Sequence, residues 1–128
     1  MINVPILLAI AAGGALGSIA RYLVGVGATK AFGLAFPWGT LIINVVGSFL
    51  IGAFVELFAL KWDLPQEARV FLTVGICGGF TTFSTFSLDA YVLLERGALA
   101  AAAAYAVASV ALSIAALVGA LHLVRAAG

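Results

Sequence analysis

Residues Gly75-Ile76-Cys77-Gly78-Gly79-Phe80-Thr81-Thr82-Phe83-Ser84-Thr85-Phe86-Ser87 interrupt an otherwise apolar stretch that begins near Pro65 and ends about Glu95. Gly78-Gly79 is a weak point for a helix, each glycine costing about 1 kcal/mol against alanine. The hydroxyls of Thr81, Thr82, Ser84, Thr85 and Ser87 can satisfy backbone groups freed by a break. Irregular backbone at membrane depth is tolerated only where it is buried in protein or lines a wet cavity. Carbonyls exposed at such a break are natural cation ligands. Phe80, Phe83 and Phe86 recur every three residues. The edge of a phenyl ring is positive, so it can hold an anion weakly, without the trapping a lysine would cause. Taken alone, three phenylalanines are better explained by ordinary packing.

The surrounding composition says what kind of chain carries this run. Of 128 residues 65% are hydrophobic and only 9% charged, against about half and a quarter in soluble domains. A chain this short cannot hide so much apolar surface in its own core, so its solvent is lipid. Besides the third stretch, three others are long enough to span a bilayer, at ~20 residues each. They run from roughly Val4 to Ala28, from about Gly39 to Leu60 and from about Gly97 to Val124. Pro65 suits the first turn of the third helix. No basic region precedes the first apolar run, which reads as a span and not a cleaved signal. The expectation is an all-α integral membrane protein with one four-helix domain over residues 1–128. Its third helix is broken at mid-membrane, and short links make sequential helices antiparallel.

Charge excludes several functions and leaves topology open. The formal charge is +1, with five acids and six bases, which gives no basis for a nucleic-acid partner. One cysteine, Cys77, and one histidine, His122, exclude an internal disulfide and a zinc cluster. With both termini on one side, Lys61, Arg69 and Arg125 lie near that side, and Lys30 and Arg96 near the other. Orientation follows Lys/Arg asymmetry, and three against two is almost none. The chain can therefore insert both ways, and two opposite copies could pair about an axis in the membrane plane.

Polar side chains within the spans form stripes. Thr40, Asn44 and Ser48 recur every four residues in the second helix, as do Tyr105, Ser109 and Ser113 in the fourth. Residues four apart share a helix face. Such ladders serve either as interhelical glue or as a track of neutral donors for an anion. In the first helix Gly13, Gly17 and Arg21 form a further ladder whose glycines argue for close helix approach. Arg21 either snorkels to the interface or supplies a positive field at a vestibule. Glu56 and Asp89 lie toward helix ends, where solvated or paired carboxylates are ordinary. Cys77 reads as a small apolar filler.

The segments Gly13-Gly14-Ala15-Leu16-Gly17-Ser18-Ile19-Ala20-Arg21-Tyr22, Gly39-Thr40-Leu41-Ile42-Ile43-Asn44-Val45-Val46-Gly47-Ser48-Phe49 and Gly75 to Ser87 resemble the signature segments of the Fluc (CrcB) fluoride channels. The resemblance covers essentially the whole chain. It implies an antiparallel, dual-topology homodimer in the plasma (inner) membrane, with two pores that export cytoplasmic fluoride passively. It implies a structural sodium ion on the dimer axis, held by the backbone carbonyls of Gly78 and Thr81 of each subunit. It carries pore roles onto Asn44, Phe83, Phe86, Tyr105, Ser109 and Ser113, and a vestibule role onto Arg21; Thr40 joins the pore set by its place on the second-helix donor stripe. The fourth helix is matched by its stripe and not by a tight motif. Two other classes compete. Small multidrug-resistance exporters need a glutamate within the first helix, where this chain has Arg21 instead. A structural membrane subunit would explain the glycines but has no need of the donor stripes. No nucleophile–base set or pair of membrane-embedded acids points to an enzyme.

Overall fold

Asn3 starts the first helix. In the computed structural model, which describes residues 2–128, its side chain accepts the Ile6 amide at 3.2 Å, and Pro5 sits in the first turn, where an N–H would be unpaired anyway. Helix α1 spans Val4–Phe32 and ends at Gly33, whose φ of 79° only glycine adopts readily. It is longer than the expected span to Ala28. Thr29 and Lys30 mark the end of the apolar stretch, not of the helix, and the Thr29 carbonyl is used by the Gly33 amide. At 29 residues and 1.5 Å per residue it is ~43 Å long, more than the hydrocarbon thickness.

Helix α2 is Trp38–Leu60. The third span covers Gln66–Glu95 and has four parts. These are α3 (Gln66–Val70), a π-helical segment (Phe71–Cys77), α4 (Gly78–Phe80) and α5 (Phe83–Glu95). Helix α6 is Leu99–Ala127. All four spans are long and apolar enough to cross a membrane, and large apolar side chains are exposed along them, Leu8, Leu23, Val107 and Leu123 among these. The chain is a multi-pass membrane protein. Tilted aromatic groups mark both ends of α2: Trp38 beside Phe32 and Phe36, and Trp62 beside Phe54 and Phe58. The 23 residues between separate them by ~35 Å, the spacing of two membrane interfaces.

Glycine sets how the helices pack. Gly13 and Gly17 of α1 face the third span so closely that a methyl on Gly13 would lie 2.9 Å from the Gly75 Cα, and one on Gly17 2.8 Å from the Phe80 amide nitrogen. A methyl on Gly79 would lie 2.6 Å from the Gly14 carbonyl oxygen. Small residues on both partners let two backbones touch, which is how helices associate without a hydrophobic driving force in lipid. The π-helical segment lies along this contact. Within it Thr73 Oγ1 donates to the Arg69 carbonyl at 2.8 Å, a back-bond that competes with the helical amide. On the other side α2 packs along α6, with Gly52 against the Leu117 backbone. Leu41, Leu93, Ala102 and Tyr105 form the buried core between α2, α5 and α6. At the end where the termini lie, Glu56 of α2 is buried and pairs with Arg125 of α6.

The interruption of the third span differs from the expected site. Gly78 and Gly79 stay helical, and the extended residues are Thr81 (φ −81°, ψ 157°) and Thr82 (φ −153°, ψ 116°). Intrinsic weakness at two glycines is overridden by what holds the chain on either side. Gly79 is gripped by α1, while Thr82 is the N-cap of α5 and accepts the Thr85 amide at 3.2 Å. Thr81 Oγ1 donates back to the Cys77 carbonyl at 2.9 Å.

Candidate functional site

Two cavities meet at Thr82. The larger, an open groove of about 1030 Å³, is lined by Asn44, Phe83, Phe86, Ser109 and Ser113, with Cys77 on its floor. The smaller, of about 680 Å³, is lined by Arg21, Thr40 and Asp89, with Lys30 and Arg96 toward its mouth. The site residues anticipated from sequence are therefore divided. Five lie in the groove, Arg21 and Thr40 lie in the second cavity, and Tyr105 is fully buried between them. Gly78 and Thr81 also border the groove.

Asn44 closes the interruption. Its Oδ1 accepts the Thr82 amide at 2.8 Å and its Nδ2 donates to the Thr82 carbonyl at 3.0 Å. One side chain thus satisfies both backbone groups of an extended residue, and a single Nδ2 hydrogen is left for anything else. Arg21 does not simply snorkel: its Nε donates to the Gly79 carbonyl at 3.1 Å, two residues before the interruption at Thr81. Its positive charge is thereby fixed beside the second cavity.

The three aromatic rings at the heart of the site form a chain. Phe83 and Phe86 have centroids 5.5 Å apart at 43°, and Phe86 lies 5.1 Å from Tyr105. Phe83 is 77% exposed despite its size, so its ring borders the groove with little packed against it. Opposite, Ser109 Oγ is buried and has no hydrogen-bond partner among the described residues. A buried hydroxyl with no partner is costly, and this one is open to a water or ion that the chain itself does not supply.

Sequence reasoning set Asp89 aside as an ordinary solvated or paired carboxylate and did not identify its partners. Thr40 Oγ1 donates to Asp89 Oδ2 at 2.7 Å, and the Tyr105 hydroxyl donates to the same oxygen at 3.1 Å. Two hydroxyls assigned to a donor track thus spend their protons on an internal carboxylate. The available signal was general: a carboxylate inside a spanning helix must find partners, and the two stripes supply the nearest hydroxyls. Asp89→Ala is expected to lower stability by about 1.5–3 kcal/mol, the range for hydrogen bonds to a charged group. Asp89→Asn, which keeps an acceptor oxygen, should cost less. Thermal unfolding in detergent micelles checks both.

The two cavities can be compared chemically. The groove offers neutral donors, ring edges and one cation, Arg69, and no carboxylate among its lining residues; the second cavity offers three cations around one carboxylate already in use. Both favour a small anion over a cation. Comparison with known proteins agrees. The family model described as "CrcB-like protein, Camphor Resistance (CrcB)" matches residues 8–121. A protein of Nitrobacter winogradskyi named "Fluoride-specific ion channel FluC" is 65% identical over 93% of this chain and 94% of its own length. One of Nitrobacter hamburgensis, "Fluoride-specific ion channel FluC 1", is 62% identical over the same shares. One of Agrobacterium fabrum with the first name is 54% identical over 98% of each chain.

Proposed function

The chain belongs to the CrcB-like family, and from that premise we propose that it is a passive, fluoride-selective channel of the plasma membrane, not an enzyme. The observation that carries the proposal is Ser109, whose buried hydroxyl lacks a partner among the described residues and borders a groove walled by Phe83 and Phe86. Fluoride collects near Arg21, exchanges water for the free Asn44 hydrogen and the Ser109 and Ser113 hydroxyls, and passes the ring edges of Phe83 and Phe86. Weak, spaced donors let an ion leave as readily as it enters. Thr40 and Tyr105 join this path only when fluoride takes the place of the Asp89 carboxylate on their hydroxyls.

The working unit is an antiparallel homodimer with two pores. Near-balanced flanking charge and the exposed Phe83 ring beside an open groove support that reading. The interrupted third span lies at mid-membrane, where two copies face each other. The Gly78 and Thr81 carbonyls fit a structural sodium ion. Both are hard oxygen donors, and among the described residues no hydrogen bond to either is found, since the Thr82 amide that would reach Gly78 goes to Asn44 and the Thr85 amide that would reach Thr81 goes to Thr82 Oγ1. When bound, the ion would supply positive charge that holds the two interruptions together.

Efflux from liposomes holding the purified protein alone tests the proposal. Rapid fluoride loss with negligible chloride loss, without a proton gradient, is the expected result; equal loss of both, or none of fluoride, overturns it. Ser109→Ala should slow fluoride efflux about tenfold or more, since a hydrogen bond to a charged group contributes ~1.5–3 kcal/mol and 1.4 kcal/mol is a factor of ten.

A further inference from the structure

The end of the groove away from Thr82 has no donor stripe. Its α2 wall is apolar, through Ile51, Val55 and Phe58, and its third-span wall carries Arg69 and Gln66 at the mouth with Thr73 below. Three bases lie at this end of the protein, but they are not equivalent. Arg125 is paired with the buried Glu56. Lys61 donates to the Ala127 carbonyl at 3.3 Å, at the tip of α6. Neither lines the groove, whereas Arg69 does, and among the described residues no carboxylate pairs with it.

We propose that Arg69 is the anion collector at this outer mouth. The inference rests on the channel reading and adds a role to a residue outside its donor set. Arg69, Thr73, Cys77 and Thr81 follow one another at intervals of four along one groove wall. Arg69 stands ~18 Å from Thr81, at 1.5 Å per residue. The apolar walls between them have low dielectric, and such walls focus a field along a cleft and raise the local concentration of the opposite charge. The outer half of the groove needs this, because an anion leaving bulk water there meets almost no donor before the serines. An unpaired cation at the lip offsets that gap, and its exposure keeps it from binding the anion tightly.

The distinguishing property is sensitivity to ionic strength. The Debye length falls from about 30 Å at 10 mM to about 3 Å at 1 M, so a field effect fades with salt and a packing defect does not. Initial fluoride efflux from liposomes is measured at a fixed fluoride gradient, with ionic strength raised by an impermeant gluconate salt. Arg69→Gln is expected to be slower than the wild type by roughly three- to tenfold at about 10 mM and to converge with it near 1 M. Arg69→Lys should follow the wild type throughout. An Arg69→Gln protein equal to the wild type at low salt, or slower by the same factor at both extremes, overturns the proposal. Should Arg69→Gln not fold, Arg69→Cys reconstituted as folded protein is modified with cationic or anionic methanethiosulfonates, the wild type reporting any reaction at Cys77. Acceleration by the cationic reagent and slowing by the anionic one are expected; the same response to both overturns the assignment. A wild type that moves no fluoride sinks the channel reading itself, whereas an active wild type indifferent to charge at position 69 sinks only this one.

Discussion

Asn44→Leu is expected to cut fluoride efflux by at least about a hundredfold, equivalent to ~2.7 kcal/mol of barrier. The side chain makes both hydrogen bonds of the extended Thr82 backbone, at 2.8 and 3.0 Å. Leucine has similar bulk but leaves the Thr82 amide and carbonyl unpaired, at about 1–3 kcal/mol each. The start of α5 would then move, and Phe83 and Phe86 with it, since both lie in its first turn. Asn44→Asp separates two effects. It keeps the acceptor for the Thr82 amide but sets a carboxylate against the Thr82 carbonyl and beside the anion path, so efflux should fall while more fold is retained. Liposome efflux together with thermal unfolding distinguishes the pair. Wild-type efflux from Asn44→Leu would show that the clamp positions nothing the ion needs.

Gly17→Leu is expected to abolish folding, whereas Gly14→Ala three residues away should be silent or stabilising. Any side chain at Gly17 runs into the Ile76 carbonyl and lies 2.8 Å from the Phe80 amide nitrogen, both of them backbone atoms that cannot turn aside. Over-packing of a close contact costs about 1–3 kcal/mol even for single methylenes, and a leucine would push α1 off the third span. That motion would also remove Arg21 from the Gly79 carbonyl. A methyl on Gly14 would have nothing within 4 Å of it, and alanine in a helix is favoured over glycine by about 1 kcal/mol. The monodisperse fraction on size exclusion in detergent reads the first variant, and the unfolding midpoint reads the second. A well-folded Gly17→Leu protein would mean that the α1 contact is softer than its geometry.

The number and order of spans were legible in the sequence because a bilayer imposes a one-dimensional rule: about twenty apolar residues, whatever the neighbours do. The glycine ladder of α1 was legible for a similar reason, since a missing side chain at every fourth position has few other uses in a spanning helix. The limits of these readings lie where a second segment decides. The first helix runs past its apolar stretch to Gly33, because backbone hydrogen bonding and not hydropathy ends a helix. The third span departs from helix at Thr81 and Thr82 and not at the weaker Gly78 and Gly79. The deciding partners, Asn44 for Thr82 and Gly14 for Gly79, come from other helices.

The donor stripes show the division most clearly. Residue spacing alone places the neutral donors of Thr40, Asn44, Tyr105, Ser109 and Ser113 on two helix faces. Which of those donors are already in use follows from the folded chain: Thr40 and Tyr105 by Asp89, most of Asn44 by Thr82, and Ser109 by nothing among the described residues. Periodicity fixes the direction in which a side chain points. Whether its hydrogen bond is satisfied depends on atoms far along the chain, brought within hydrogen-bonding reach only by folding.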